Sequence, residues 1–171
     1  MEERKGIVTV EGNPLTLVGS EVEVGQTAPD CEVLDNDLNP VDLSSFRGNV
    51  CLISSVPSLD TPVCDVETRR FNEEAAGLGA DVEILTISMD LPFAQKRWCG
   101  AAGVERVRTL SDHRNARFGI SYGVLLRELR LLARAIFVVD REGIVRYAEL
   151  VKELTNEPDY DAALDAIKQL T

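Results

Sequence analysis

Four cysteines, a single histidine and an arginine at the mouth of an apolar run are the residues of this chain best suited to do chemistry. Cys64 comes first among them. It ends the stretch Pro57-Ser58-Leu59-Asp60-Thr61-Pro62-Val63-Cys64, which follows the apolar run Val50-Cys51-Leu52-Ile53 and precedes a helical pattern, so the segment reads as strand, turn, helix. Thr61 suits the N-cap and Pro62 the first helical position, which makes Cys64 the third residue, where backbone N–H groups still lack partners. A thiol there feels the positive end of the helix, which favours the thiolate, the form of cysteine that attacks electrophiles. Asp65 and Glu67 oppose that charge, so a positive group is expected to answer them.

The other cysteines divide by setting. Cys51 lies between apolar neighbours in a strand and Cys31 opens a short one, so both read as small core residues. Cys99 ends a second helix beside Gly100, and the residues alone leave it open as a redox partner for Cys64 or as helix-end packing. Arg134 is a cation at the entrance to a buried strand, either snorkelling to water or turned inward for chemistry. His113, in a polar cluster, reads as a solvated helix-start residue, and Trp98 as packing or interface. One histidine cannot build a His-based metal cluster or supply a Cys-His pair of obvious spacing, and four cysteines without C-x-x-C argue against zinc and a static disulfide framework.

The elements that must position these residues are legible in the periodicity. Ile7 to Val24 alternates around Gly12-Asn13-Pro14 as a hairpin does. Cys31 to Leu34 is a short strand, Asp35 to Pro40 a polar loop, Ser44 to Gly48 a turn and Asn49 to Ser54 a strand. The helix carrying Cys64 runs to about Ala76 and stops at Gly77-Leu78-Gly79. Val82 to Ser88 is a buried strand. Asp90 is expected to cap the next helix, which ends at Cys99-Gly100. Val104 to Leu110 reads as a strand, followed by a short helix through Phe118, and Leu125 to Leu132 as a solvated loop or turn. Ala133 to Val139 and Ile144 to Leu150 form a hairpin across Asp140-Arg141-Glu142-Gly143, and Asp159 to Leu170 is an amphipathic closing helix. Strands alternating with helices, a hairpin at the front and a hairpin and helix at the end, fit a thioredoxin-like α/β sandwich with a mixed central sheet, helices on both faces and an N-terminal β-hairpin.

Length and charge set the bounds. A chain of 171 residues with 44% hydrophobic content is expected to form a single domain over residues 1–171. A net charge of −11 disfavours nucleic acid and anionic lipid as partners. Apolar runs such as Ala135 to Val139 fall far short of the ~20 residues of a membrane span, and the charged start Met1-Glu2-Glu3-Arg4-Lys5 leads into no secretory segment, so a cytoplasmic location is expected.

The spacing Pro-x-x-x-Thr-x-x-Cys at Pro57, Thr61 and Cys64 resembles the active-site signature of the peroxiredoxins, thiol enzymes that reduce peroxides. Two further stretches, Asp90-Leu91-Pro92-Phe93-Ala94-Gln95-Lys96-Arg97-Trp98-Cys99-Gly100 and Leu132-Ala133-Arg134-Ala135-Ile136-Phe137-Val138-Val139-Asp140, are similar to those of the bacterial thiol peroxidase subfamily, and the resemblance runs from Gly12 to the C-terminus. It implies that Cys64 attacks hydrogen peroxide or an alkyl hydroperoxide and becomes a sulfenic acid. Cys99 then resolves it as an intrachain disulfide, Thr61 and Arg134 orient the peroxide, and Pro57 and Pro62 shape the pocket. It also implies thioredoxin as reductant, a homodimer with Arg114 near a possible interface, and no flavin, haem or metal.

The helix position cannot carry such a reaction alone. A thiol of pKa about 8.5 is about 3% ionised at pH 7 and one near 6 about 90%, a roughly 30-fold gain. About tenfold of it is lost to weaker nucleophilicity if the Brønsted slope of ~0.4–0.5 for thiol–disulfide exchange carries over. Enzymes accelerate reactions by at least ~10⁶, roughly 8 kcal/mol, so groups that align the O–O bond and stabilise the leaving oxygen must supply the rest. Two other readings share the same residues. A general thiol–disulfide oxidoreductase usually carries C-x-x-C, where this chain has Thr61-Pro62-Val63-Cys64, and a non-enzymatic redox sensor could use the same disulfide.

Overall fold

A computed structural model describes residues 1–171, and its elements follow the hydrophobic periods of the sequence. Strands β1 (Glu3–Val10) and β2 (Asn13–Val18) form the N-terminal hairpin, turning at Glu11 and Gly12 with φ of 49° and 82°. A short hairpin of β3 (Glu32–Leu34) and β4 (Pro40–Asp42) follows, then a 3-10 turn at Leu43–Phe46 and β5 (Val50–Ser55). Helix α1 (Pro62–Glu74), β6 (Val82–Ser88), α2 (Pro92–Ala102), β7 (Arg108–Ser111) and α3 (Arg117–Ser121) come next. The chain ends with β8 (Leu125–Leu126), β9 (Leu131–Leu132), β10 (Ala135–Val139), β11 (Val145–Leu150) and α4 (Tyr160–Leu170).

Seven strands make the main sheet in the order β11-β10-β5-β6-β7-β3-β4, with β5, β6 and β7 parallel and the remaining pairs antiparallel. A smaller antiparallel sheet runs β1-β2-β8-β9. The period of two along each central strand divides the core. Cys51 and Ile53 of β5, Leu85 and Ile87 of β6, and Ala135, Phe137 and Val139 of β10 face a large cluster that includes Phe118 of α3 and Leu17 of the small sheet. Val50, Leu52, Ile84, Ile136 and Val138 face the other way, against Phe71 of α1 and Ala163 and Ile167 of α4. This is a thioredoxin-like α/β sandwich with helices on both faces of a mixed sheet. No helix is long and apolar enough to cross a membrane.

Four sequence expectations are corrected. Leu125 to Leu132 is a tight hairpin of two short strands, because Leu125, Leu126 and Leu132 bury while Arg127, Glu128 and Arg130 stay outside. The strand expected from Val104 begins only at Arg108, Val104 and Val107 burying from a loop instead. Pro40 to Asp42 pairs as β4, at the sheet edge where proline is tolerated. Helix α2 runs past Cys99 and Gly100 to Ala102 and is closed by Gly103 at φ 68°, while its N-cap position is Leu91, not Asp90.

Candidate active site

Strand register explains how residues 70 positions apart come together. In the antiparallel pair of β5 and β10, Ser55 lies opposite Ala135, so the chain leaving β5 and the chain entering β10 share one edge of the sheet. The first continues through Val56 and Pro57 into α1 and brings Cys64. The second presents Arg134 one residue before its strand begins. Sites in such sheets form where parallel strands end, and both residues stand there.

Cys64 is the third residue of α1, and the amide after it is the one that reaches back to the Thr61 carbonyl, at 3.0 Å. Its side chain is fully buried among Val56 and Leu59, with Trp98 packed alongside. Arg134 Nη1 lies 3.3 Å from the sulfur and also donates to Glu67 Oε2 at 2.7 Å. Nε and Nη2 both donate to the Leu154 carbonyl, at 3.2 and 2.9 Å. The guanidinium is therefore fixed from two sides. Arg134 and Glu67 are 2% and 0% exposed, and Glu67 Oε1 accepts from Ser54 Oγ at 2.7 Å.

Charge at this site is arranged around the arginine. Burial works against the Arg134 cation, but Cys64 and Glu67 beside it outweigh burial and hold its pKa above the ordinary guanidinium value. Burial pushes the Glu67 carboxyl up, against the pull of Arg134 and Ser54. Arg134 is the positive group expected to answer Glu67. Asp65 is answered separately, by Arg69 and by the Trp98 indole N–H, each at 2.9 Å.

Thr61 occupies the N-cap position with an extended backbone, yet its hydroxyl does not cap the helix; it donates to the Ser58 carbonyl at 2.8 Å. Pro57 is buried, and Pro62 is exposed at the rim of an open depression outside the sulfur. Thr61, Leu59, Asp60, Pro62, Asp65, Arg69 and Trp98 line that depression. Cys99 is not joined to Cys64, all four thiols being free. It sits in the last turns of α2 with its sulfur 3.4 Å from Thr109 Oγ1, on a separate groove shared with Asn36 and Arg108. Cys31 and Cys51 belong to the large core cluster, and burial pushes both thiols up to about 12, which keeps them inert as nucleophiles. His113 is half-buried rather than solvated, its Nε2 shielded from water. No group of three or more His, Cys, Asp or Glu residues is positioned to hold a metal ion.

Fold and sulfur–guanidinium pair delimit a class of thiol proteins on a thioredoxin-like sheet, and over residues 23–164 the sequence matches the family model described as Redoxin. The chain is 59% identical to the thiol peroxidase of Halalkalibacterium halodurans, over 94% of its own length and 96% of the relative's. It is 57% identical to the thiol peroxidase of Bacillus subtilis, over 95% and 97% of the two. A peroxiredoxin-like protein from Aquifex aeolicus superposes with a TM-score of 0.90 at 45% identity, covering 96% of each chain. At this similarity over nearly the whole length, the chain belongs to the thiol peroxidases of the peroxiredoxin superfamily.

Proposed function

We propose that the protein reduces peroxides by a two-cysteine cycle in which Cys64 is the nucleophile and Cys99 the resolving thiol. The observation that carries this reading is the 3.3 Å approach of Arg134 Nη1 to the Cys64 sulfur, both groups buried, with Val56 and Leu59 packed against the sulfur. A guanidinium there stabilises the thiolate before reaction and the developing negative charge on the leaving oxygen during it. The Thr61 proton is engaged by Ser58, so its oxygen is left as an acceptor for the peroxide O–H. Pro57, which is buried, and Pro62, on the rim, are proposed to shape and shield the pocket. Attack breaks the O–O bond, leaves Cys64 as a sulfenic acid and releases water or an alcohol.

Resolution by Cys99 forms the disulfide and expels water. A disulfide needs Cα atoms within about 4.4–6.8 Å, and the first turn of α1 and the last turns of α2 are the ends, one or both, that the cycle would unwind. Leu59 and Trp98, which both pack at Cys64 and line the depression outside it, support alkyl hydroperoxides as substrates alongside hydrogen peroxide. Names of the relatives support a thiol-dependent peroxidase. Thioredoxin is the proposed reductant, a homodimer the proposed assembly and the reducing cytoplasm the proposed setting.

Peptide mapping without reductant, after one equivalent of peroxide, tests the cycle. A Cys64–Cys99 crosslink is expected, and Cys99→Ser should abolish it while Cys64 still consumes one peroxide. A crosslink from Cys64 to Cys31 or Cys51 would overturn the choice of resolving residue. Failure to consume peroxide catalytically with thioredoxin and its reductase would remove thioredoxin as the reductant.

A further inference from the structure

Asp90 is expected from the sequence to cap α2, but its carboxylate turns toward the loop that carries the nucleophile. Oδ1 accepts from Ser58 Oγ at 2.7 Å, and Oδ2 accepts from the Leu59 backbone N–H and from Ser88 Oγ, both at 2.8 Å. Its backbone carbonyl accepts from Ser111 Oγ at 2.5 Å, which ties the same residue to the end of β7. Ser88 in turn accepts from buried Gln95 of α2 at 3.0 Å. One carboxylate thus joins the loop leading into α1 to the junction leading into α2. Leu59, whose amide it holds, packs directly beside Cys64 and Trp98.

We infer that Asp90 is a positioning residue that sets how Cys64 sulfenic acid is partitioned between the Cys99 disulfide and over-oxidation. The inference rests on the two-cysteine reading above. With the clamp closed, the loop from Ser58 to Thr61 keeps its shape and the pocket reacts with peroxide. The relevant opening is that of the first turn of α1, which follows Ser58 and Leu59 within a few residues and so works against their bonds to Asp90. Two reactions then compete for one intermediate. In the opened form, the sulfenic acid and the Cys99 thiol condense to a disulfide and water. In the closed form, the sulfenate attacks a second peroxide, gains one oxygen as sulfinate and releases water or alcohol. A tighter clamp favours the second reaction.

The test uses the full chain carrying Asp90→Asn or Ser58→Ala, with the peroxide dose that converts half of Cys64 to sulfinate read by mass spectrometry beside the Cys64–Cys99 disulfide. The amide of asparagine cannot accept at both positions, so the half-dose should rise about tenfold, equal to about 1.4 kcal/mol, while single-turnover reaction of Cys64 with peroxide slows. Ser58→Ala, which removes one arm of three, should move both quantities in the same directions by less, and it carries the test alone if Asp90→Asn does not fold. Amide exchange at Leu59 should quicken in parallel. A half-dose that stays fixed or falls in either folded variant overturns the inference, whatever happens to overall stability. Absence of the disulfide in the unmodified protein would instead defeat the two-cysteine reading itself.

Discussion

Arg134 serves three acceptors at once: the Leu154 carbonyl through two nitrogens, Glu67 and the Cys64 sulfur. A lysine ammonium is a single point and cannot hold all three in one plane, so Arg134→Lys should lower the peroxide rate constant about 10²-fold, the scale of losing one donor to a developing oxyanion. Stopped-flow rates with hydrogen peroxide would measure it, and a drop of less than threefold would rule out the role. Glu67→Ala leaves a buried guanidinium with one anion fewer. It should cost about 3–5 kcal/mol in denaturant unfolding, as removal of one member of a buried pair does. Cys64 stood out in the sequence through its helix-start neighbours, whereas the place of Arg134 before an apolar run left snorkelling and an inward turn equally open, and only the family resemblance favoured the second. Glu67 as a buried ligand of the arginine was not, since a glutamate in a helix looks solvated. The available signal was its spacing of three from Cys64, which puts both on one helix face.

At the scale of elements, the arginine is held by a chain of contacts that begins at the N-terminal hairpin. Thr9 pairs with the segment after β11 through its amide to Lys152 and its carbonyl from Leu154, and the Glu153 carboxylate accepts from Thr9, Gly12 and Thr155. Those bonds to backbone and hydroxyl donors hold the Glu153 carboxyl down at about 2, against an ordinary 4.5. The folded carboxylate therefore binds a proton less readily than the unfolded one. Its contribution to stability is complete above pH 4.5 and is lost as the pH falls through about 2. The difference in unfolding midpoint between the unmodified protein and Glu153→Gln should shrink across that window; a difference independent of pH would refute it. The hairpin itself was readable from alternation. Its grip on the strap beside Arg134 was not, because pairing between residues about 140 apart leaves no local pattern. The β8–β9 hairpin was hidden for another reason: four exposed residues between two leucine pairs look like a loop, and only burial of the leucines shows the strands.

The whole molecule shares one sheet between its two core clusters, each central strand contributing alternate residues to both. Loss of β5 or β10 would expose both clusters together, so we propose that residues 1–171 unfold as one cooperative unit. Calorimetric and van't Hoff enthalpies should agree, and two separable transitions would contradict this. Fold class was legible from the alternation of strand and helix patterns. Strand order was not, since β3 and β4 join the far edge beside β7 through contacts their own sequence does not encode. The chain's one tryptophan, Trp98, bridges the seam between the two helices that carry Cys64 and Cys99, with its indole N–H on Asp65 and Arg69 stacked 5.7 Å from the ring. Any unwinding that brings the sulfurs together must change the polarity around that ring. On the two-cysteine reading, intrinsic fluorescence should therefore shift in intensity or colour with each oxidation and would serve as an optical gauge of redox state, and an emission unchanged on oxidation would contradict it.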